Sequence, residues 1–190
     1  MYRAFFLLSL FICYSTIYAI NRKNTCKLKK SQQLEDILLN RIGVENTELR
    51  HFYETLYNMG ILAILVIFYR KKEKIPYKSF YITVSILLLY RSIILISTDI
   101  PKIKNCKDEL YKIPIFGGCY DKVFSGHISV FYTLILFIVT YTDHEQYALW
   151  YYFSIVIMSL LSLLSKSHYT IDIVLALIIS YLNFYRFNDS

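Results

Sequence analysis

Six stretches of almost unbroken apolar residues, parted by short polar loops, constrain this chain more than any other feature of it. They cover 4–20, 56–69, 80–98, 123–142, 147–164 and 169–187. A helix needs about 20 apolar residues to cross a bilayer, and five of the six runs approach that length. The run 56–69 is short unless it extends back to Phe52 and Tyr53. The runs are continuously apolar. A β-barrel strand would alternate in character over about ten residues, so barrel strands are excluded. In lipid the backbone must satisfy its own polar groups, which leaves helices. The expected fold is all-α: a polytopic membrane protein built as a six-transmembrane-helix bundle.

Composition agrees. Hydrophobic residues make up 56% of the chain and charged residues 18%, against roughly 25% charged in a soluble domain. Six spans would consume roughly 120 residues, so the 190-residue chain has no room for a sizeable soluble domain. The 19 Tyr, 13 Phe and single Trp suit the two membrane interfaces. The formal charge of +7 resides in loops between apolar runs. No basic helix or nucleic-acid motif accompanies it, so the expected contacts are anionic lipid headgroups and no nucleic acid.

The chain divides into a first run, 1–20, a polar segment, 21–55, a transmembrane core, 56–187, and a tail, 188–190. Two readings compete for the first run: a transmembrane helix, or a signal peptide cut after Ala19. Both put residue 21 on the non-cytosolic side. Within the polar segment, 33–39 reads as a short surface helix. The tight basic loop Arg70-Lys71-Lys72-Glu73-Lys74 should face the cytosol. The total count of Lys and Arg favours the opposite face, so charge alone does not orient the bundle. Cys26, Cys106 and Cys119 all fall on that opposite face, where an oxidising compartment would allow two of them to pair. No metal-binding cysteine spacing is present.

The polar residues that interrupt the spans carry the chemistry. His127 sits near the start of the fourth run, just after Ser125 and Gly126. His168 begins the sixth, with Asp172 four residues later. Two crossings separate these starts, so the three residues share one face of the membrane. On a helix, i,i+4 spacing makes His168 and Asp172 neighbours. A carboxylate on one ring nitrogen leaves the other as base or nucleophile. Ser-Gly-His at a helix start offers free N–H groups, a residue without Cβ and an N-cap, which together suit an anion. Arg91, inside the third run, should face the bundle interior, because an unpaired Arg in lipid is costly.

Each feature has a bland reading. An interfacial His is commonly filler, Ser-Gly-His is commonly a cap, and Arg91 could snorkel or pair with Asp99. Asp172 is the hardest to dismiss, since a lone buried carboxylate has no evident structural use. Their convergence on one face fits phosphoryl transfer. Two His and one carboxylate are an unspecific metal set, and no metal is expected.

At these residues the chain resembles the sphingomyelin synthase family, within the wider PAP2-like, lipid phosphate phosphatase superfamily. The string Cys119-Tyr120-Asp121-Lys122-Val123-Phe124-Ser125-Gly126-His127 resembles that family's Cys-Gly-Asp-x-x-Phe-Ser-Gly-His motif. His168-Tyr169-Thr170-Ile171-Asp172 matches its His-Tyr-Thr-Ile-Asp motif at every position. Tyr90-Arg91 through Thr98 to Pro101 resembles its Tyr-Arg…Thr-x-x-Pro segment. The likeness spans about residues 34–187. The chain departs from the pattern at Tyr120, where the family has Gly, and at Ile128, where it usually has Thr. The family's Pro-Leu-Pro-Asp motif survives at most as Leu34-Glu35-Asp36.

The resemblance implies an enzyme that moves a phosphocholine or phosphoethanolamine headgroup from a glycerophospholipid to ceramide. Diacylglycerol is released, and no cofactor is used. It implies His168 as nucleophile, Asp172 as its partner and His127 as proton carrier. Asp121 supports them, and Ser125, Gly126 and Arg91 hold phosphate. The implied partners are membrane lipids: phosphatidylcholine or phosphatidylethanolamine, ceramide and diacylglycerol. The implied site lies on the lumenal or exoplasmic side of a Golgi, endoplasmic reticulum or plasma membrane. Homo-oligomer formation stays open. The alternatives are a membrane lipid-phosphate phosphatase or phospholipase C-type hydrolase using the same residues, and a non-enzymatic protein. A CDP-alcohol-dependent transferase is disfavoured, because no span carries an Asp cluster for Mg²⁺.

Overall fold

The computed structural model describes residues 1–25, 47–71, 73–98, 124–142, 144–165 and 168–188. Among the described residues there are six α-helices and no strand: α1 (Tyr2–Thr25), α2 (Thr47–Arg70), α3 (Tyr77–Ser97), α4 (Gly126–Tyr141), α5 (Ala148–Leu164) and α6 (Thr170–Asn188). A 3₁₀ turn, Glu145–Tyr147, leads into α5. Five segments are long and apolar enough to span a bilayer, and α4 is a shorter apolar helix. The chain is a polytopic membrane bundle. The expected surface helix at 33–39 and the residues Cys26, Cys106 and Cys119 lie outside the described residues. Cys13 is buried.

Two boundaries differ from the sequence reading. The second apolar run becomes a full span because α2 begins upstream of it, and Phe52–Arg70 is its apolar part. The fourth run yields a helix of only 16 residues, or about 24 Å, short of a hydrocarbon core of about 30 Å. Its position permits this. Ten of its residues are buried, among them Ile128, Ile135, Phe137 and Ile138. It packs against α2, α3, α5 and α6. A helix enclosed by longer neighbours need not reach either interface. Its start lies level with that of α6, to which the Ser125 N–H is bonded, while α2 and α3 run on past it: His127 meets Tyr57 and Gly126 meets Arg91, both well inside their helices.

The opposite end of the bundle is knitted by aromatics. Phe137 meets Phe80 and Phe184 edge-on, with centroids 5.3 and 5.0 Å apart. Phe68 joins them at 4.6 Å from Phe80. Arg70, Lys71, Lys74, Lys78 and Arg186 lie at this end too, beside Trp150 and Tyr147 at the start of α5. That is the pattern of an interface rich in aromatics and cations.

Polar groups stitch the interior. Asn183 Nδ2 donates to the Thr83 carbonyl at 2.8 Å, Ser79 Oγ to the Phe187 carbonyl at 2.9 Å, and Ser180 Oγ to the Ser129 carbonyl at 3.3 Å. These bonds fix α6 against α3 and α4 where apolar packing gains nothing over lipid. Other hydroxyls bond back one turn, as Thr133 does to Ser129, and so bury without cost to the helix ladder.

Helix α1 stands to one side. It runs parallel to α3, with Tyr2 stacked on Tyr81 at one end and Cys13 and Ile17 seated near Leu95 at the other. Its outer face exposes Leu7, Leu8 and Phe11, as a helix facing lipid would.

Candidate active site

The site is built where two helices begin. Ser125 is the N-cap of α4: its backbone is extended, and its Oγ accepts the Ile128 N–H at 3.3 Å. This cap starts α4 at Gly126 rather than at residue 123. Ile128 supplies a backbone donor to the cap, and its side chain is fully buried in the apolar core.

Helix α6 begins at Thr170, so His168 precedes the helix instead of lying on it. The expected i,i+4 helical pair is therefore a contact across a helix cap. Asp172 Oδ2 lies 3.4 Å from His168 Nδ1 and accepts the Tyr169 N–H at 2.8 Å. The second contact is half of a capping box, a side chain in the first turn reaching back to the N-cap N–H. A carboxylate there also meets the positive end of the helix dipole. The premise that buried Asp172 has no structural use is thus corrected: it caps the start of α6 and also lies beside the imidazole. It is fully buried, and His168 is nearly so.

One backbone bond ties the two starts together, the Ser125 N–H donating to the Asp172 carbonyl at 3.4 Å. His127, half-buried on the first turn of α4, then faces His168 with ring centroids 6.3 Å apart. Both rings thus stand at the start of α4, the end of a helix that favours an anion.

Arg91 enters from α3. Its guanidinium lies against Gly126, so that an ideal Cβ built there would stand 2.7 Å from Cζ and closer still to a terminal nitrogen. A side chain at Gly126 would displace the cation from this position. Arg91 is directed inward, as an intramembrane Arg should be, and brings its charge to the Ser-Gly-His turn. Asp121 and Asp99 lie outside the described residues. Among the described residues, no group of three or more His, Cys, Asp or Glu side chains has metal-binding geometry.

The sequence reading missed the wall contributed by α2. The Tyr57 ring stands edge-on to His127, with centroids 4.6 Å apart and planes at 84°. Tyr53, one turn earlier and almost fully buried, stands behind it. The signal available was two Tyr at i,i+4 near one end of a span. It was masked because aromatics at span ends ordinarily face the interface.

Residues 118–189 match the family model described as PAP2 superfamily C-terminal. The C-terminal part of the chain is similar to that family. The match takes in α4, α5 and α6 and contains Ser125, Gly126, His127, His168 and Asp172 together. It leaves out α2 and α3, which bring Tyr57 and Arg91 to the same place. No curated protein and no solved structure matches the chain. The PAP2-like part supports phosphatase- or phosphotransferase-type chemistry on lipid phosphates.

Proposed function

We propose that this protein is a sphingomyelin synthase-like transferase that passes a phosphocholine or phosphoethanolamine headgroup from a glycerophospholipid to ceramide. The observation that carries the reading is the His168–Asp172 contact at 3.4 Å with the His127 ring facing it. Asp172 holds His168 through Nδ1, which leaves Nε2 to attack phosphorus. The new P–N bond forms as the bond from phosphorus to the diacylglycerol oxygen breaks. That oxygen takes a proton from His127. Asp172 stabilises the positive ring, and Arg91 with the N–H groups at the start of α4 stabilises charge on the phosphoryl oxygens. In the second half His127 accepts the proton of the ceramide hydroxyl. The alkoxide oxygen attacks phosphorus, and the P–N bond breaks to regenerate His168.

The extension of α2 and α3 past the start of α4 supports a transferase, because the intermediate must be kept from water. Water in place of ceramide would make the same residues a hydrolase, and the PAP2 superfamily match is equally at home with that reading. On the transferase reading the site faces the lumenal or exoplasmic side, opposite the basic loop at Arg70.

The test uses purified protein in liposomes containing ceramide and headgroup-labelled phosphatidylcholine or phosphatidylethanolamine. Label in a ceramide product, lost in His168→Ala, is the expected result. Label released only as water-soluble phosphocholine or phosphoethanolamine would replace the transferase by the hydrolase.

A further inference from the structure

We infer that Tyr57 is a positioning residue for His127, one that fixes the plane of the imidazole during proton transfer. This rests on the reading of His127 as proton carrier and deepens it. His127 is half-buried on the first turn of α4, with the His168 ring on one side. A second ring contact reaches it from α2. Tyr57 meets the imidazole edge to face at 4.6 Å and 84°. Tyr57 is itself held from two sides, by Phe131 of α4 at 6.1 Å and by Tyr53 at 6.5 Å.

The backbone allows this approach at one point. Gly60, one turn beyond Tyr57, faces Phe131 so closely that an ideal Cβ would lie 3.2 Å from Cε2. With no side chain at Gly60, α2 comes near enough for Tyr57 to reach His127. The groups set around His127 are Tyr57 from α2, Arg91 from α3 and His168 with Asp172 at the start of α6. Tyr57 also lies within electrostatic reach of Arg91.

The function follows from the proton's path. As phosphorus leaves the diacylglycerol oxygen, the His127 N–H must point along the breaking bond, and it must point the same way to take the proton back from the acceptor. A ring free to turn about its bond to Cβ spends part of its time misdirected. An edge-to-face aromatic contact biases such an orientation by up to about tenfold. The contribution lies in the ring of Tyr57 rather than its hydroxyl.

The experiment compares two donors with the same headgroup. One is phosphatidylcholine or phosphatidylethanolamine, whichever turns over. The other is the p-nitrophenyl ester of the same phospho-headgroup, whose aryloxide departs without a proton. Tyr57→Phe, which keeps the ring, should stay within about threefold of wild type on both. Tyr57→Leu and Tyr57→Met should lose about tenfold in kcat on the lipid with little change in KM, and less than about twofold in the p-nitrophenolate burst. Wild-type kcat on the lipid in both, or equal losses on the two donors in both, would overturn the inference. His127→Ala is run beside them. If it cleaves the lipid at the wild-type rate, the reading of His127 falls and the inference with it. If it fails on the lipid while Tyr57→Leu and Tyr57→Met match wild type, the inference about Tyr57 alone is lost.

Discussion

The guanidinium of Arg91 occupies the space in which a side chain at Gly126 would begin. A residue deep in one transmembrane span and the first residue of another are thereby made to depend on each other, although 34 positions in sequence separate them. The pair joins α3, which lies outside the PAP2-like segment, to the start of α4, which lies within it.

That dependence predicts non-additivity. Gly126→Ala puts a methyl group where the cation sits, so Arg91 must withdraw or α4 must shift. Gly126→Ala and Arg91→Ala should each lower kcat/KM strongly, and the double variant should be little worse than either alone. The coupling should be about 0.5–3 kcal/mol, as for residues in contact. Kinetics on the four members of the cycle measure it, and additive losses would show that the contact does not matter to turnover.

The two roles of Asp172 should separate by substitution. Asp172→Asn keeps an acceptor for the Tyr169 N–H but loses the charge that steadies the His168 ring. Activity should fall on the order of 10²- to 10⁴-fold while the protein stays folded. Asp172→Ala removes the cap as well and should cost about 1 kcal/mol more in stability. Thermal unfolding in detergent beside turnover distinguishes the two. Equal stability of the two variants would remove the capping role.

Ser125 makes a parallel prediction at α4. Ser125→Ala deletes the acceptor for the Ile128 N–H and should destabilise by about 0.5–2 kcal/mol. Fraying of the first turn would also move His127, so the activity loss should exceed what the stability loss explains. Hydrogen exchange at the start of α4 is the direct measure, and unchanged protection there would refute the cap.

Far from the site, Asn183 bridges α6 to the Thr83 carbonyl of α3. Asn183→Leu should cost about 0.6 kcal/mol and no more than about 1.7 kcal/mol, with kcat unaffected. Unfolding in mixed micelles reads the first and the liposome assay the second. A loss of activity without loss of stability would extend the site to this polar seam.

Much of the architecture is legible in the sequence because lipid makes such simple demands. Runs of apolar residues near 20 long can only be helices there, and an even number of crossings puts His127 and His168 on one face. Their rings indeed lie 6.3 Å apart. The rest turned on packing that no periodicity records. The true length of α4 depended on a Ser125 cap in an enclosed helix, and apolar content could not mark that point. His168 reads as helical from its spacing to Asp172, yet Asp172 caps the helix and leaves His168 outside it. Tyr57 carries no signal distinguishing a wall of the site from a lipid-facing aromatic. Gly60 and Gly126 explain themselves only once Phe131 and Arg91 are seen against them.

In the proposed reaction phosphorus passes through His168. This step is tested most directly by supplying headgroup-labelled phospholipid without ceramide, quenching in base to preserve phosphoramidate bonds, and mapping the label by mass spectrometry. The expected result is a headgroup-phosphate adduct on His168 Nε2, absent in His168→Ala and chased into product when ceramide is added. Turnover that continues in His168→Ala, or an adduct on any other residue, would contradict it.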